Sequence, residues 1–149
     1  GVDNKAPLVS QGGTFSANPV SMIAGKAAMD ALTIEAFDRL ERLGDRARTG
    51  LTDAALKRNA PFSVSGAASL FRIHPGKVAP ASSGGATMPA EEAVIMRALS
   101  RHFLASGILL PFGAAACLST PMTDADVDTV IATFDDFLEK NSRTAWERQ

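Results

Sequence analysis

The chain has 149 residues, 46% of them hydrophobic and 21% charged, with a formal net charge of −1. That length suits one domain with a core of its own. The charge gives no basic field for nucleic acid, and no apolar run is long enough to span a bilayer, so neither partner is expected. One cysteine, Cys117, forms no internal disulfide and fits a reducing compartment, so a cytoplasmic location is expected. No basic segment followed by an apolar one opens the chain, so no signal peptide is read. The sequence starts at glycine rather than methionine, and GVDNKAPLVSQ carries no clear element. This reads as a processed terminus or a piece of a longer polypeptide.

Asn18-Pro19 starts the first helix: asparagine accepts first-turn amides and proline fits the first helical position. The helix runs to about Leu32. It is rich in small residues (Ala24, Gly25, Ala27, Ala28) beside Met22, Ile23, Met29 and Leu32, a composition expected to be buried between other elements. Thr33 caps a second helix with Glu35 in its first turn. Ile34, Phe37, Leu40, Leu43, Ala47, Leu51, Ala54 and Ala55 keep helical spacing, and the helix ends near Asn59-Ala60-Pro61. PFSVSG (61–66) and ASLFRIH (68–74) read as strands, with Leu70, Arg72 and His74 alternating against Phe71 and Ile73. PGKVAPASSGGATM (75–88) reads as a mobile loop.

Pro89 and Glu91-Glu92 open a third helix, which ends at Gly107. ILLP (108–111) and ACLST (116–120) read as two further short strands. Thr123 with Asp126 is a capping-box variant that starts the last helix, with Val127, Val130, Ile131, Phe134, Phe137 and Leu138 on one stripe. The polar tail NSRTAWERQ (141–149) is expected to fray. The order predicts an α+β domain: a small, mostly antiparallel sheet covered by helices, preceded by a connecting helix.

Few residues point to chemistry. His74 and His102 stand on different elements, without metal-ligand spacing, so no metal is expected. Cys117, in an apolar strand, reads as a buried inert thiol. Ser65-Gly66 and Ser119-Thr120-Pro121 have no neighbouring base in the sequence, so no serine nucleophile is read. Asp124, Asp126 and Asp128 lack the glycine and glutamate of a calcium loop and read as first-turn acids. Arg72, an arginine on a strand, is a candidate carboxylate partner. QGGTFSANP (11–19) combines close-approach glycines, hydroxyls and a helix N-terminus, the makings of an anion site.

The pattern then resembles a known family. GGTFSANPVSMIAGKAAMDAL (12–32), LGDRARTGL (43–51), SGAASLFRIH (65–74) and ILLPFGAAACLSTPMTDADVDTVIATFDDFL (108–138) are similar, in order and spacing, to the C-terminal part of the class III, fold-type I aminotransferases. The likeness is to the group related to glutamate-1-semialdehyde 2,1-aminomutase. It implies a homodimer using pyridoxal 5′-phosphate, with a large cofactor domain and a small C-terminal domain that covers the site. Residues 1–32 would be the end of the large domain and 33–140 the small domain, with 141–149 as tail. The G-T-x-S-x-N-P loop would bring Thr14, shaped by Gly13, to the cofactor phosphate of the partner subunit. Arg72 and Phe112, the latter in PFGAA (111–115), would be the substrate contacts, for a small amino acid.

The resemblance also implies an absence. The family's Schiff-base lysine lies tens of residues before the loop, and eleven residues precede Gly12. Lys5 is too near, and Lys26, Lys57, Lys77 and Lys140 match nothing catalytic. No catalytic residue is therefore expected in this chain, and no transaminase activity from it alone. It reads as the C-terminal portion of a longer enzyme, without which the 19–32 helix exposes an apolar surface. The aminomutase itself usually has leucine after the loop threonine, glycine at the place of Ala17, and P-S-Q-F-E in place of PFGAAA. These departures favour a transaminase of an α-, β- or ω-amino acid over the aminomutase proper. A stand-alone interaction module without catalysis, and a small phosphate-binding protein, are the alternatives.

Overall fold

The computed structural model describes residues 13, 15–81 and 88–145, with side chains to residue 141. The chain divides into two compact units, Gly1–Ile34 and Glu35–Gln149. The first holds α1 (Pro19–Ala31), capped by Asn18 and ending at Leu32, whose N–H bonds Met29 O at 3.2 Å. No residue of α1 is buried, contrary to the burial its composition suggested. A helix apolar around most of its circumference needs a covering surface, and the described residues of its own unit supply none.

The second unit is α+β. It runs α2 (Ile34–Lys57), β1 (Phe62–Ser65), β2 (Leu70–Pro75), α3 (Ala90–Ala105), β3 (Ala115–Cys117) and α4 (Asp124–Ala145). The sheet has the order β1-β2-β3 and both pairings are antiparallel. Phe62 pairs with Pro75, Ser65 with Arg72, and Leu70 with Cys117. Side chains alternate along strands, so Phe62, Phe71 and Ile73 enter the core while Ser63, Ser65, Arg72 and His74 share the opposite face.

Leu43, Ala47, Leu51, Ala54 and Ala55 are the buried stripe of α2, and Phe134, Phe137 and Leu138 that of α4. Phe62 meets Phe134 edge-on at 5.5 Å between ring centres. The two helices run parallel, because their ion pairs ascend together: Arg42 with Asp124 (2.9 Å), Arg46 with Asp128 (2.7 Å), and Arg58 with Asp135 (2.5 Å) and Glu139 (2.9 Å). Gly50 permits the approach, since a Cβ there would stand 2.3 Å from Ile131 Cδ1. Gly44 does the same for the hairpin: its Cβ would stand 1.7 Å from the Ala68 carbonyl oxygen. Arg48 donates to that carbonyl and to Leu70 O at 2.6 and 2.9 Å. Asn59, with φ 48°, turns the chain out of α2, and Ala60 N–H returns to Ala55 O at 2.9 Å.

Of the four strands expected in this unit, three form. ILLP is the exit of α3: Ile108 N–H bonds Phe103 O at 2.9 Å, and Leu110 O accepts the Ser100 hydroxyl at 2.8 Å. Leu110 is apolar because it fills the core, and Pro111 has no amide to give a ladder. At α4, Thr123 N–H bonds Asp126 Oδ2 at 2.7 Å and Asp126 N–H bonds Thr123 Oγ1 at 3.4 Å, the reciprocal cap. The Thr123 N–H bond, and then the Thr123 hydroxyl donating to the same Oδ2 at 2.8 Å, hold the Asp126 carboxyl below the usual range. Asp124 and Asp128 carry the Arg42 and Arg46 pairs. The helix continues through NSRTA to Ala145. Part of the glycine-rich loop, 82–87, lies outside the described residues. Among the described residues, no helix is long and apolar enough to cross a membrane.

Candidate functional site

Two places answer to the sequence-predicted sites. The first is the loop before α1. Gly13 O accepts the Ser16 N–H at 2.9 Å and Phe15 O the Asn18 N–H at 3.3 Å, giving two overlapping turns. A Cβ on Gly13 would sit 3.2 Å from Ser16 Oγ, so the turn is tight against a side chain there. Ala17 has φ 55°, in the left-handed region where glycine rests at ease. Asn18 Oδ1 accepts the Val20 and Ser21 amides at 2.9 and 3.4 Å. Asn18 thus takes first-turn amides, as its capping position predicts. Thr14, the residue named for the phosphate, lies outside the described residues.

The second place is the polar face of the sheet. Arg72 is half-buried, and its Nε donates to Gly113 O at 3.0 Å. Gly113 follows Phe112, over whose ring the Arg97 guanidinium stands at 5.4 Å. The two candidate substrate residues, Arg72 and Phe112, are therefore neighbours, joined through the turn that precedes β3. Among the described residues, no carboxylate lies within ion-pair distance of Arg72.

Ser65 does have a base beside it. Its Oγ lies 2.7 Å from His74 Nε2, across the β1–β2 hairpin. The sequence reading missed this because the two are nine residues apart and meet only through the strand register. Burial, and then the Arg72 charge, push the His74 imidazolium below its ordinary pKa, so the ring is neutral at physiological pH. No carboxylate among the described residues orients that ring, as a catalytic triad requires, and the pair reads as a cross-strand hydrogen bond. The Ser63 hydroxyl, paired in register with His74, is buried with no hydrogen-bond partner among the described residues.

Beside this face opens a cavity of about 560 Å³, bounded by Arg72, His74, Lys77, Met88, Pro89 and Glu92. Lys77 Nζ reaches Asn59 Oδ1 at 3.3 Å.

Cys117 is exposed rather than buried. Its register against Leu70, itself exposed, puts it on the outer face of the edge strand. His102 belongs to the α3–α4 seam. Its ring lies 5.6 Å from that of Phe137, and Nε2 stands 3.0 Å from Asp136 Oδ2, off hydrogen-bond alignment. Among the described residues, no group of histidine, cysteine and acidic side chains could hold a metal ion.

No protein-family model matches the chain. It is 30% identical over 134 residues to glutamate-1-semialdehyde 2,1-aminomutase 1 of Macrococcus caseolyticus, over 87% of this chain and 30% of that protein. It superposes on an ω-transaminase from Sphaerobacter thermophilus with a TM-score of 0.79 and 34% identity, over 91% of this chain and 31% of the other. A transaminase with pyridoxal phosphate bound aligns with a TM-score of 0.71 and 29% identity, over 95% and 32%. The chain spans about a third of the length of these relatives. In sequence and in fold it is similar to the C-terminal part of class III, fold-type I aminotransferases and aminomutases.

Proposed function

We propose, from the kinship of this chain with class III aminotransferases, that it serves as the C-terminal portion of a pyridoxal-phosphate-dependent enzyme moving an amino group between an amino acid and a keto acid or aldehyde. The observation that carries the reading is the ω-transaminase likeness over 91% of the chain. In this reading residues 1–32 end the cofactor domain and 33–140 form the small domain of a cytoplasmic homodimer. Bound pyridoxal phosphate would supply the electron sink for the chemistry. This chain would hold its phosphate from the neighbouring subunit through Thr14. Gly13 supports that role by keeping the approach clear of a side chain. The small domain would cover the site and turn Arg72 and Phe112 towards substrate. The exposed Met22, Ile23 and Met29 of α1 would meet the large domain or the partner subunit. The glycine-favouring backbone at Ala17 matches the place where the aminomutase usually carries glycine. Alanine there, and PFGAAA further on, favour a transaminase over the aminomutase proper.

The test uses the polypeptide translated from the natural reading frame that contains this sequence. With pyridoxal phosphate, an amino donor and a keto acid it is expected to transfer the amino group, while the 149 residues alone transfer none. A Thr14→Val change in that polypeptide should raise the cofactor dissociation constant by about tenfold, the loss of one hydrogen bond to a charged group. A reading frame that encodes these residues alone, with no cofactor binding, would leave the interaction module as the correct reading.

A further inference from the structure

Helix α3 turns one face outward. Met96, Leu99 and Phe103 enter the core, and His102 turns to Asp136 of α4. Val94, Arg97, Arg101 and Leu104 recur at intervals of three and four residues, so they line a single strip. All four are exposed. The segment after the helix runs back beside it. Ile108 N–H bonds Phe103 O, Leu110 O accepts the Ser100 hydroxyl, and Phe112 lies under the Arg97 guanidinium. That segment adds Leu109, which keeps 84% of its surface, to the edge of the strip.

The strip carries two positive charges set against each other. Arg97 and Arg101 stand one turn apart, where like charges repel. Among the described residues, no carboxylate lies within ion-pair distance of either, whereas Arg42, Arg46, Arg48 and Arg58 each have one. The acids of α3 itself, Glu91 and Glu92, sit in its first turn, where the helix dipole holds them. A carboxylate-bearing surface would relieve the repulsion, and apolar groups on it would cover Val94 and Leu104. Those two residues lie about 15 Å apart along the axis, roughly three turns of a partner helix. An anionic lipid surface suits the strip less, because lipid headgroups are gathered by clusters of about four or more cations.

We propose that this face of α3 docks an acidic amphipathic helix of a partner protein. Its carboxylates meet Arg97 and Arg101, and its apolar side chains meet Val94, Leu104 and Leu109. Docking at this face is independent of the aminotransferase reading.

The test uses the polypeptide translated from the natural reading frame that contains this sequence. The probe is a dye-labelled helical peptide of about four turns with leucine and glutamate on one face. Fluorescence anisotropy is expected to show saturable binding, at least about tenfold tighter than for the same peptide with lysine in place of each glutamate. Arg101→Glu should weaken the glutamate peptide by about tenfold or more, and Leu104→Ser by about threefold or more, while the thermal unfolding midpoint holds. Binding that does not saturate, equal affinity for the two peptides, or unchanged affinity in either variant overturns the proposal. Sedimentation with phosphatidylserine vesicles that Arg101→Glu abolishes, without peptide binding, also overturns it and assigns the face to lipid. Should Arg101→Glu fail to fold, Arg101→Gln takes its place, and an unchanged affinity there overturns the proposal.

Discussion

Helices α1 and α4 are both rich in apolar residues and end differently. In α4 Val127, Phe134, Phe137 and Leu138 are fully buried, and its acidic residues pair with Arg42, Arg46 and Arg58. In α1 nothing is buried; Ile23 keeps 72% of its surface and Met29 66%. The distinction lies in patterning more than hydrophobicity. One stripe on α4 leaves a charged face for water, whereas α1 is apolar on most sides and, among the described residues, has the Lys26–Asp30 pair as its one ion pair. A striped helix finds its partners within its own domain. A helix with small apolar residues all round is shaped for close approach by a surface from outside its own unit.

The sharpest way to break this contrast is to truncate one side chain on each helix. Phe134→Ala should lower the unfolding free energy by about 3–5 kcal/mol, through lost burial and the cavity left behind. Ile23→Ala should change it by less than about 0.5 kcal/mol. Urea unfolding of both variants measures this; equal losses would mean that α1 is buried in solution.

A smaller effect is expected from pH. His74 binds its proton less readily in the folded chain than in the unfolded one. Its contribution to stability is therefore present above the ordinary histidine pKa of about 6.5 and is lost as pH falls through the lower native value. The depressed carboxyls of Asp126, Asp128, Asp135 and Asp136 contribute above about 3.9 and are lost only in stronger acid. The urea midpoint should drop between about pH 8 and pH 5, and His74→Gln should flatten that drop. An unchanged slope in the variant would assign the effect to another group.

The smallest global effect should come from Asn18→Ala. Its side chain caps only α1, so about 1 kcal/mol is lost from that helix. Hydrogen exchange should speed in the first turns of α1 while the global midpoint holds. A shifted midpoint would tie the folding of α1 to that of the rest of the chain.

Much of the fold was legible in local rules. Asn18-Pro19, Thr123 with Asp126, and the Asn59-Ala60-Pro61 stop mark helix ends through side chains that act within three or four residues. Alternation along SLFRIH separated Phe71 and Ile73 from Arg72 and His74 because strand period is a property of the backbone. ILLP misled because a short apolar run looks the same whether it pairs as a strand or fills a core after a helix. Of the candidate site, Gly13, Arg72 and Phe112 were legible as residue types, and their company was not. Cys117 was misread because its face depends on pairing with Leu70.

The sequence by itself determined the helix starts, the hairpin and the likeness to an aminotransferase C-terminal part, since each is written in residues close in the chain. Only the tertiary structure decided that Arg58 pairs with Asp135, that Gly44 receives the Ala68 carbonyl, that Ser65 meets His74, and that Arg72 reaches the Gly113 carbonyl. Those contacts join residues separated by up to 77 positions in the chain. Their geometry depends on how helices and sheet pack, which spacing within one element does not encode.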